Sequence, residues 1–394
     1  MVTSVSLGEL VTIRGGGTPD RQNPDYWDGN IPWASVKDLK DIWLENTQEF
    51  ITEKGVKNSA TNIIPIGTVV VVTRMAVGKA CITKMPVAIN QDLKALFCSA
   101  KLLPQYLLWF FIWTSEKLGA QASGATVKGI KIDALNKLKI PLPSLEEQRR
   151  IANILNKADA VRRKRQQAIA LTEELLRSAF LEMFGDPVTN PKGWEVISIE
   201  SVAAPTKNAL AIGPFGSSLK VDDYRKSGHP VIFVRDIQEN RFNWNSEVFI
   251  DDKKFQELQS HHVRPKDIVA TKMGLPPCKA AVYPDSMPIG VVTADIIKIT
   301  LDWNKMIPIY AAAAINSDFC KRQVASFTEG ITRPKVTLRD FRQLQIPCPP
   351  LSYQKQWEEL FYQYQKTSTN LLKDFKTLNN LFNSLLQRAF QGNL

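Results

Sequence analysis

Cysteine and histidine are scarce in this chain. Five cysteines stand apart at 81, 98, 278, 320 and 348, with no C-x-x-C among them, and the three histidines are at 229, 261 and 262. This argues against a zinc site or a disulfide framework and implies a reducing compartment, so a cytoplasmic location is expected. His261-His262 reads as a surface or turn pair. Long apolar runs are missing too. LLPQYLLWFFIW (102–113) is too short for a bilayer and reads as a buried helix beginning after Pro104. MVTSVSLGEL lacks the basic region and apolar core of a signal peptide, so no membrane partner is expected. GGG (15–17) fits no dinucleotide fingerprint, and no G-x-x-x-x-G-K-[ST] occurs. Pro284-Asp285 with Asp295 and Lys298 has the wrong spacing and acid for a nuclease pattern. With no visible catalytic equipment, no catalytic residue, metal ligand or cofactor is assigned to the chain.

What the sequence does have is a long stretch free of Pro and Gly. IPLPSLEEQ (140–148) opens it, and no Pro or Gly follows until Gly185. The prolines bias Ile140 and Leu142 towards extended backbone. Ser144 is a good N-cap, with Glu147 as its capping-box partner. Ile151, Leu155, Ala158, Ile169, Leu176, Ala179 and Met183 form a coiled-coil-like stripe, interrupted by Arg162 and Arg165. A helix of this length runs roughly 60 Å, too long for the interior of one domain.

The same unit returns 206 residues later, where IPCPPLSYQ (346–354) overlays IPLPSLEEQ. Gly330, Thr332, Val336, Leu338, Phe341 and Leu344 overlay Gly124, Thr126, Ile130, Ile132, Leu135 and Leu138. A second stripe follows: Trp357, Phe361, Tyr364, Leu371, Phe375, Leu378, Phe382, Leu385 and Ala389. LLQRAF (385–390) answers LLRSAF (175–180). The chain therefore reads as a duplication: domain 1–143, helix 144–186, domain 187–350 and helix 351–394. The expected fold class is α+β, with two mixed domains and two long helices paired as an antiparallel coiled coil with pseudo-two-fold symmetry.

Within the first domain, 31–39, 67–74, 80–83 and 89–97 read as strands and 105–119 as a helix. In the second, Pro230, Val234, Arg235, Asp236 and Ile237 match Pro32, Val36, Lys37, Asp38 and Leu39. Thr271-Lys272-Met273 matches Thr73-Arg74-Met75, and Asp295 matches Asp92. The first loop differs, GPFGSSLK (213–220) against GGGTPD, so specificity is expected in the loops.

Net charge is +11, of which +4 falls in each of 1–143 and 187–350. That fits a polyanion contacted at two places, or simply a basic protein. A protein with pseudo-dyad symmetry can present similar surfaces to two stretches of duplex. The candidate DNA contacts are Arg14, Thr18, Lys37, Arg74, Lys79 and Lys128 in the first domain. In the second they are Lys207, Ser217, Ser218, Lys220, Arg235, Lys272, Arg333 and Lys335. Arg162 and Arg165 of RRKR (162–165), with Leu176, Phe180, Phe375 and Phe382, are candidate partner contacts. RRKR reads equally well as a phosphate contact, a contact with a partner's acidic face or a solvated face, and because Arg162 and Arg165 fall on the stripe it also fits a polar seam or an inter-subunit contact. NPDY (23–26) resembles the NPPY loop of adenine methyltransferases but has Asp at the third position, and it reads better as a structured turn.

Three stretches together, GGTPD…NPDYW…IPWASVKDL (16–39), the 124–131 segment and IPLPSLEEQRRIA (140–152), resemble the specificity subunits of type I restriction–modification systems. Second copies of the last two lie at 330–335 and 346–354. Ser352-Tyr353 replaces the Glu-Glu pair there, which leaves the second helix's cap unassigned. The resemblance implies two domains that each read part of a split double-stranded DNA target. It implies helices that bind two modification subunits methylating adenine at N6, with two restriction subunits able to join. S-adenosylmethionine, ATP and Mg²⁺ then belong to those partners, and this chain is non-catalytic. Two other readings stay open: a stand-alone adenine methyltransferase or nuclease, and a coiled-coil assembly adaptor without DNA contact.

Overall fold

A computed structural model describes residues 3–121, 129–328, 334–392 and 394. It is mixed α and β, and its chain divides into two compact units. Unit 1 comprises 1–167 and 372–394, and unit 2 comprises 168–371. Two long helices, Leu145–Phe184 and Leu351–Gln391, each contribute one end to each unit.

In unit 1, a five-stranded sheet has the order Val11–Gly15, Leu93–Cys98, Val69–Val72, Ala80–Thr83, Trp43–Leu44. A second sheet has the order Glu49–Ile51, Trp27–Ala34, Val87–Ile89, Ile63–Ile64, with Trp33 and Ala88 paired in parallel. Helix Pro104–Gln121 covers the larger sheet. Tyr106, Trp109 and Phe110 share a core with Ile151 and Leu155 of the first long helix and Phe382, Leu386 and Phe390 of the second. The start of one helix thus packs with the end of the other, which is antiparallel pairing within this unit.

Unit 2 repeats the plan. Its sheets run Leu210–Ile212, Ile296–Ile299, Ile268–Thr271, Ala280–Val282 and Phe249–Ile250, His229–Ile232, Gly290–Val292, His262–Val263. Phe180 and Phe184 of the first long helix and Trp357 and Phe361 of the second meet around Tyr310.

The repeated gate explains why both helices begin where they do. In unit 1, strand Lys139–Pro141 pairs with Ser4–Ser6, and in unit 2 Gln345–Pro347 pairs with Val196–Ser198. Gln148 is fully buried. Its Oε1 accepts from the Leu103 N–H at 2.9 Å, and its Nε2 donates to the Lys101 and Pro143 carbonyls at 2.9 and 3.0 Å. Gln354 does the same with Ile307, Lys305 and Pro349 at 2.8, 3.3 and 2.7 Å. A tyrosine hydroxyl locks each gate, Tyr106 to the Pro141 carbonyl and Tyr310 to that of Pro347, both at 2.9 Å. The side-chain amide satisfies loop groups that would otherwise be buried unpaired beside the helix start.

Several local expectations are corrected. The capping box is half present: Ser144 Oγ accepts the Glu147 N–H at 3.3 Å, but the Glu147 carboxylate turns to Arg150. The strand expected over 31–39 ends at Ala34, and the one over 89–97 is broken by a turn at 90–92. NPDY forms a short 3₁₀ turn in which Asn23 Oδ1 accepts the Asp25 N–H at 3.0 Å. His262 is buried rather than at the surface, stacked 3.8 Å from the Phe255 ring.

Candidate nucleic-acid interface

Each unit gathers a cluster of loops at the ends of its central strands. In unit 1 the loop after Val11–Gly15 is held close to the sheet. A Cβ on Gly16 would collide with the Ile89 and Asn90 carbonyls, and the Trp33 indole N–H donates to the Gly17 carbonyl at 3.1 Å. This fixes Thr18, whose hydroxyl donates to Gln91 Oε1. Lys94 Nζ donates to the Gln91 carbonyl at 2.6 Å, and Arg74 lies 3.8 Å from the Asp92 carboxylate. Burial and the neighbouring Arg74 hold the Lys94 ammonium below the usual lysine range, against the pull of Asp92. Thr18, Arg74, Gln91, Asp92 and Lys94 therefore form one continuous polar patch, and exposed Lys79 follows Arg74 on the next turn. Arg14 is exposed and stacks on Phe97 at 5.0 Å. Lys37 is exposed on the turn that Asp38 organises by accepting the Ser35 and Gln48 N–H groups at 2.8 and 2.9 Å.

In unit 2 the counterpart of Gly16 is Gly213, where a Cβ would meet the Val292 and Thr293 carbonyls. The loop beyond it places Ser217, Ser218 and Lys220 at the surface. Asp236 repeats Asp38, accepting the Phe233, Asn245 and Ser246 N–H groups. Exposed Arg235 lies over Phe233 at 4.5 Å and donates from Nε to Ser246 Oγ at 2.8 Å. Arg235, Phe233, Tyr224, Pro214, Thr293 and Asp295 border an open concavity of about 550 Å³. Lys207 and Lys335 are exposed elsewhere on this unit.

The structure corrects the sequence overlay by one residue. Leu93 pairs with Val72 in unit 1, and Ile296 with Thr271 in unit 2. Thr73 N–H donates to the Asp92 carbonyl, and Lys272 N–H to that of Asp295. Arg74 bridges to Gly129, and Met273 to Lys335. Lys272 thus stands where Thr73 stands, not where Arg74 does. It is 7% exposed, and its ammonium is held below the usual range by burial and by Lys335. A side chain so covered is not a free reader of DNA. Lys128 and Arg333 lie outside the described residues, as does most of the 124–131 segment and part of the 330–335 segment.

Sequence reading missed Gln91, Lys94 and Asn62, whose Nδ2 donates to the Gly15 carbonyl at 2.9 Å. Gln91 was findable, since it precedes Asp92, one of the residues that match between the halves.

Most of the expected partner contacts have internal duties. Arg162 and Arg163 both bind Asp159, which is 2% exposed, Arg163 also binds Asp41, and Arg162 lies 4.7 Å over the Phe382 ring. Arg165 faces Asp374 at 3.6 Å. Phe180 and Phe382 are buried in the cores of units 2 and 1, so neither offers a surface to a partner. Leu176 and Phe375 are half-buried. Leu176, with Trp357, Phe361 and Tyr364, lines a cleft of about 880 Å³ in unit 2.

Residues 2–171 match the type I restriction modification DNA specificity domain family. Over 98% of its length the chain is 24% identical to the type I restriction enzyme MjaIX specificity subunit of Methanocaldococcus jannaschii, covering 92% of that protein. Over 40% of each chain it is 32% identical to the EcoR124I/EcoR124II specificity subunit of Escherichia coli. Among solved structures, the type I restriction-modification S subunit from M. genitalium matches with a TM-score of 0.61 at 14% identity, covering 99% of this chain and 96% of that one. A chain from a structure of type I complex assembly and conformational transition matches with a TM-score of 0.57 at 16% identity, covering 100% and 98%. No helix among the described residues is long and apolar enough to cross a membrane.

Proposed function

We propose, from the premise that the chain belongs to the type I restriction–modification specificity subunits, that it reads a bipartite, asymmetric DNA target, one part with the loop cluster of each unit. The observation that supports this most is that two units of the same plan carry unlike loops. Thr18, Arg74 and Gln91 stand at the strand ends of unit 1, and Ser217, Ser218 and Arg235 at those of unit 2. Shared scaffolds with different side chains suit two half-sites that are not a palindrome. Arg can bind guanine through two hydrogen bonds, Gln can do so to adenine, and hydroxyls and amides serve phosphates.

On this reading the chain contributes no bond-making step and works in the cytoplasm. It holds two modification subunits, which methylate adenine at N6 with S-adenosylmethionine, and two restriction subunits, which use ATP and Mg²⁺. The duplex and these subunits are its partners. The solvent-facing side chains of the long helices, rather than Arg162, Phe180 or Phe382, carry the subunit contacts.

The test is binding of the assembled complex to target and random duplexes across a salt series. Tighter binding to the target at every salt is expected, with affinity for both falling steeply as salt rises. Equal affinity for both at all salts would reject the reading. The purified chain alone is expected to transfer no methyl group and cut no DNA, and methyl transfer by it would favour the enzyme reading instead.

A further inference from the structure

Each unit also carries an apolar side chain on the loop that follows its central buried strand. In unit 1 it is Met75, 72% exposed, and in unit 2 it is Leu275, 80% exposed. Both lie beyond the strands Val69–Val72 and Ile268–Thr271, on loops that the corrected overlay makes equivalent.

The Met75 loop is fixed. Ala76 N–H donates to the Arg74 carbonyl at 2.9 Å, Gly78 N–H to that of Val72 at 3.0 Å, and Lys79 N–H to that of Ala76 at 3.2 Å. Met75 itself has φ +69, a backbone conformation that an L side chain seldom adopts and that surrounding structure must enforce. The Leu275 loop is pinned likewise, by Cys278 N–H to the Thr271 carbonyl at 2.7 Å and Val336 N–H to the Lys272 carbonyl at 3.0 Å. Neither tip is a fraying end that happens to be apolar.

The surroundings say what such a tip could meet. Met75 directly follows Arg74, whose side chain is 60% exposed and which pairs with Asp92 next to Gln91, and exposed Lys79 closes the same loop. Exposed cations on the same loop as one apolar side chain match a duplex groove, whose walls are phosphate and whose floor is polar with one exception. That exception is the thymine C5-methyl group, the apolar feature of the major-groove edge.

We propose that Met75 and Leu275 are specificity-determining residues, each packing on a thymine C5-methyl in its part of the target. This rests on the DNA-reading function proposed above. In unit 1 the neighbouring Arg74 and Lys79 set position and supply affinity, and in both units the tip discriminates A·T from G·C at one base pair.

The test uses the full chain in its assembled complex and the mapped target duplex, with each thymine replaced in turn by deoxyuridine, which removes only the methyl group. One replacement in each part of the target is expected to weaken wild-type binding about three- to tenfold, the scale of one buried methyl. Met75→Ser should abolish that difference for one part and Leu275→Ser for the other, with the salt dependence unchanged. Both residues are exposed, so neither change disturbs a core. Three results would overturn the proposal: no deoxyuridine effect in the wild type, an effect that persists in both variants, or a loss in the variants equal on thymine and deoxyuridine duplexes. The last would mark a wedge or a backbone contact instead. A wild type with no sequence preference would defeat the parent reading and this one together, whereas sequence preference without a methyl effect defeats this one alone.

Discussion

The two helix seams begin alike and then part. At the gate, Gln148 and Gln354 make the same three kinds of bond to equivalent loops. Three turns further on, unit 1 places Asp159, Arg162 and Arg163 where the 206-residue repeat puts Gln365, Ser368 and Thr369 in unit 2. In unit 1 these residues build an ion cluster around the buried Asp159 carboxylate that reaches Asp41. In unit 2 the equivalent positions line an open cleft, and aromatic packing of Trp357, Phe361 and Tyr364 holds the seam. What stayed fixed after duplication is the hydrogen-bonded start of the helix. What drifted is the chemistry that glues it to the domain.

The comparison can be broken most forcefully at Trp357, which is 2% exposed. Trp357→Ala should cost about 3–5 kcal/mol in urea denaturation, falling on unit 2, since the indole supports Phe180, Phe184 and Phe361. In unit 1, Asp159→Asn should cost about 2–3 kcal/mol: the buried carboxylate's charge-assisted hydrogen bonds weaken and Arg162 loses its counter-charge, while Arg163 keeps Asp41. Grafting the unit 2 residues, Asp159→Gln with Arg162→Ser and Arg163→Thr, should cost less than that single change. If the triple variant is the less stable one, the ion cluster is more than an alternative glue.

Gln148→Ala and Gln354→Ala sharpen the shared part. Each should cost about 2 kcal/mol, because a buried loop N–H and carbonyls lose their partner, and the two losses should be similar. A smaller effect comes from pH. His262 is held below its ordinary pKa mainly by burial, with Arg264, His229 and Lys298 also opposing its charge, against the Phe255 carbonyl that favours it. The unfolded chain then takes the proton first. Unit 2 should lose stability as pH falls through about 6.5, and His262→Phe should flatten that part of the melting-temperature profile.

The gate and the long helices were legible because their signals are local: prolines, a capping serine, a stripe at helical spacing, and all of it twice. The strand register was not. VVVV (69–72) and IVAT (268–271) are buried on both faces, so no alternation of apolar and polar residues marks which residue faces which way. The overlay consequently slipped by one, and Lys272 was taken for a partner of Arg74. RRKR was legible in part: Arg162 and Arg165 fall on the stripe, which fits the polar seam they make with Phe382 and Asp374. A basic run reads as surface, and its counter-charges, Asp159 three and four residues back and Asp41 in the domain, become visible only when the helix is packed. At the interface, Thr18 and Arg74 were readable as polar loop residues, but their assembly with Gln91 and Lys94 depends on a turn that interrupts what looked like one continuous strand.

The claim on which everything else depends is that two unlike loop clusters read separate parts of one target. Methylation-site mapping across a genome carrying the complex, for the wild type and for Arg74→Gln and Arg235→Gln, tests it directly. The account predicts that each variant relaxes the sequence requirement in one part of the target, a different part for each, and leaves the other part intact. Relaxation of the same part by both variants, or an unchanged target with both in place, would contradict it.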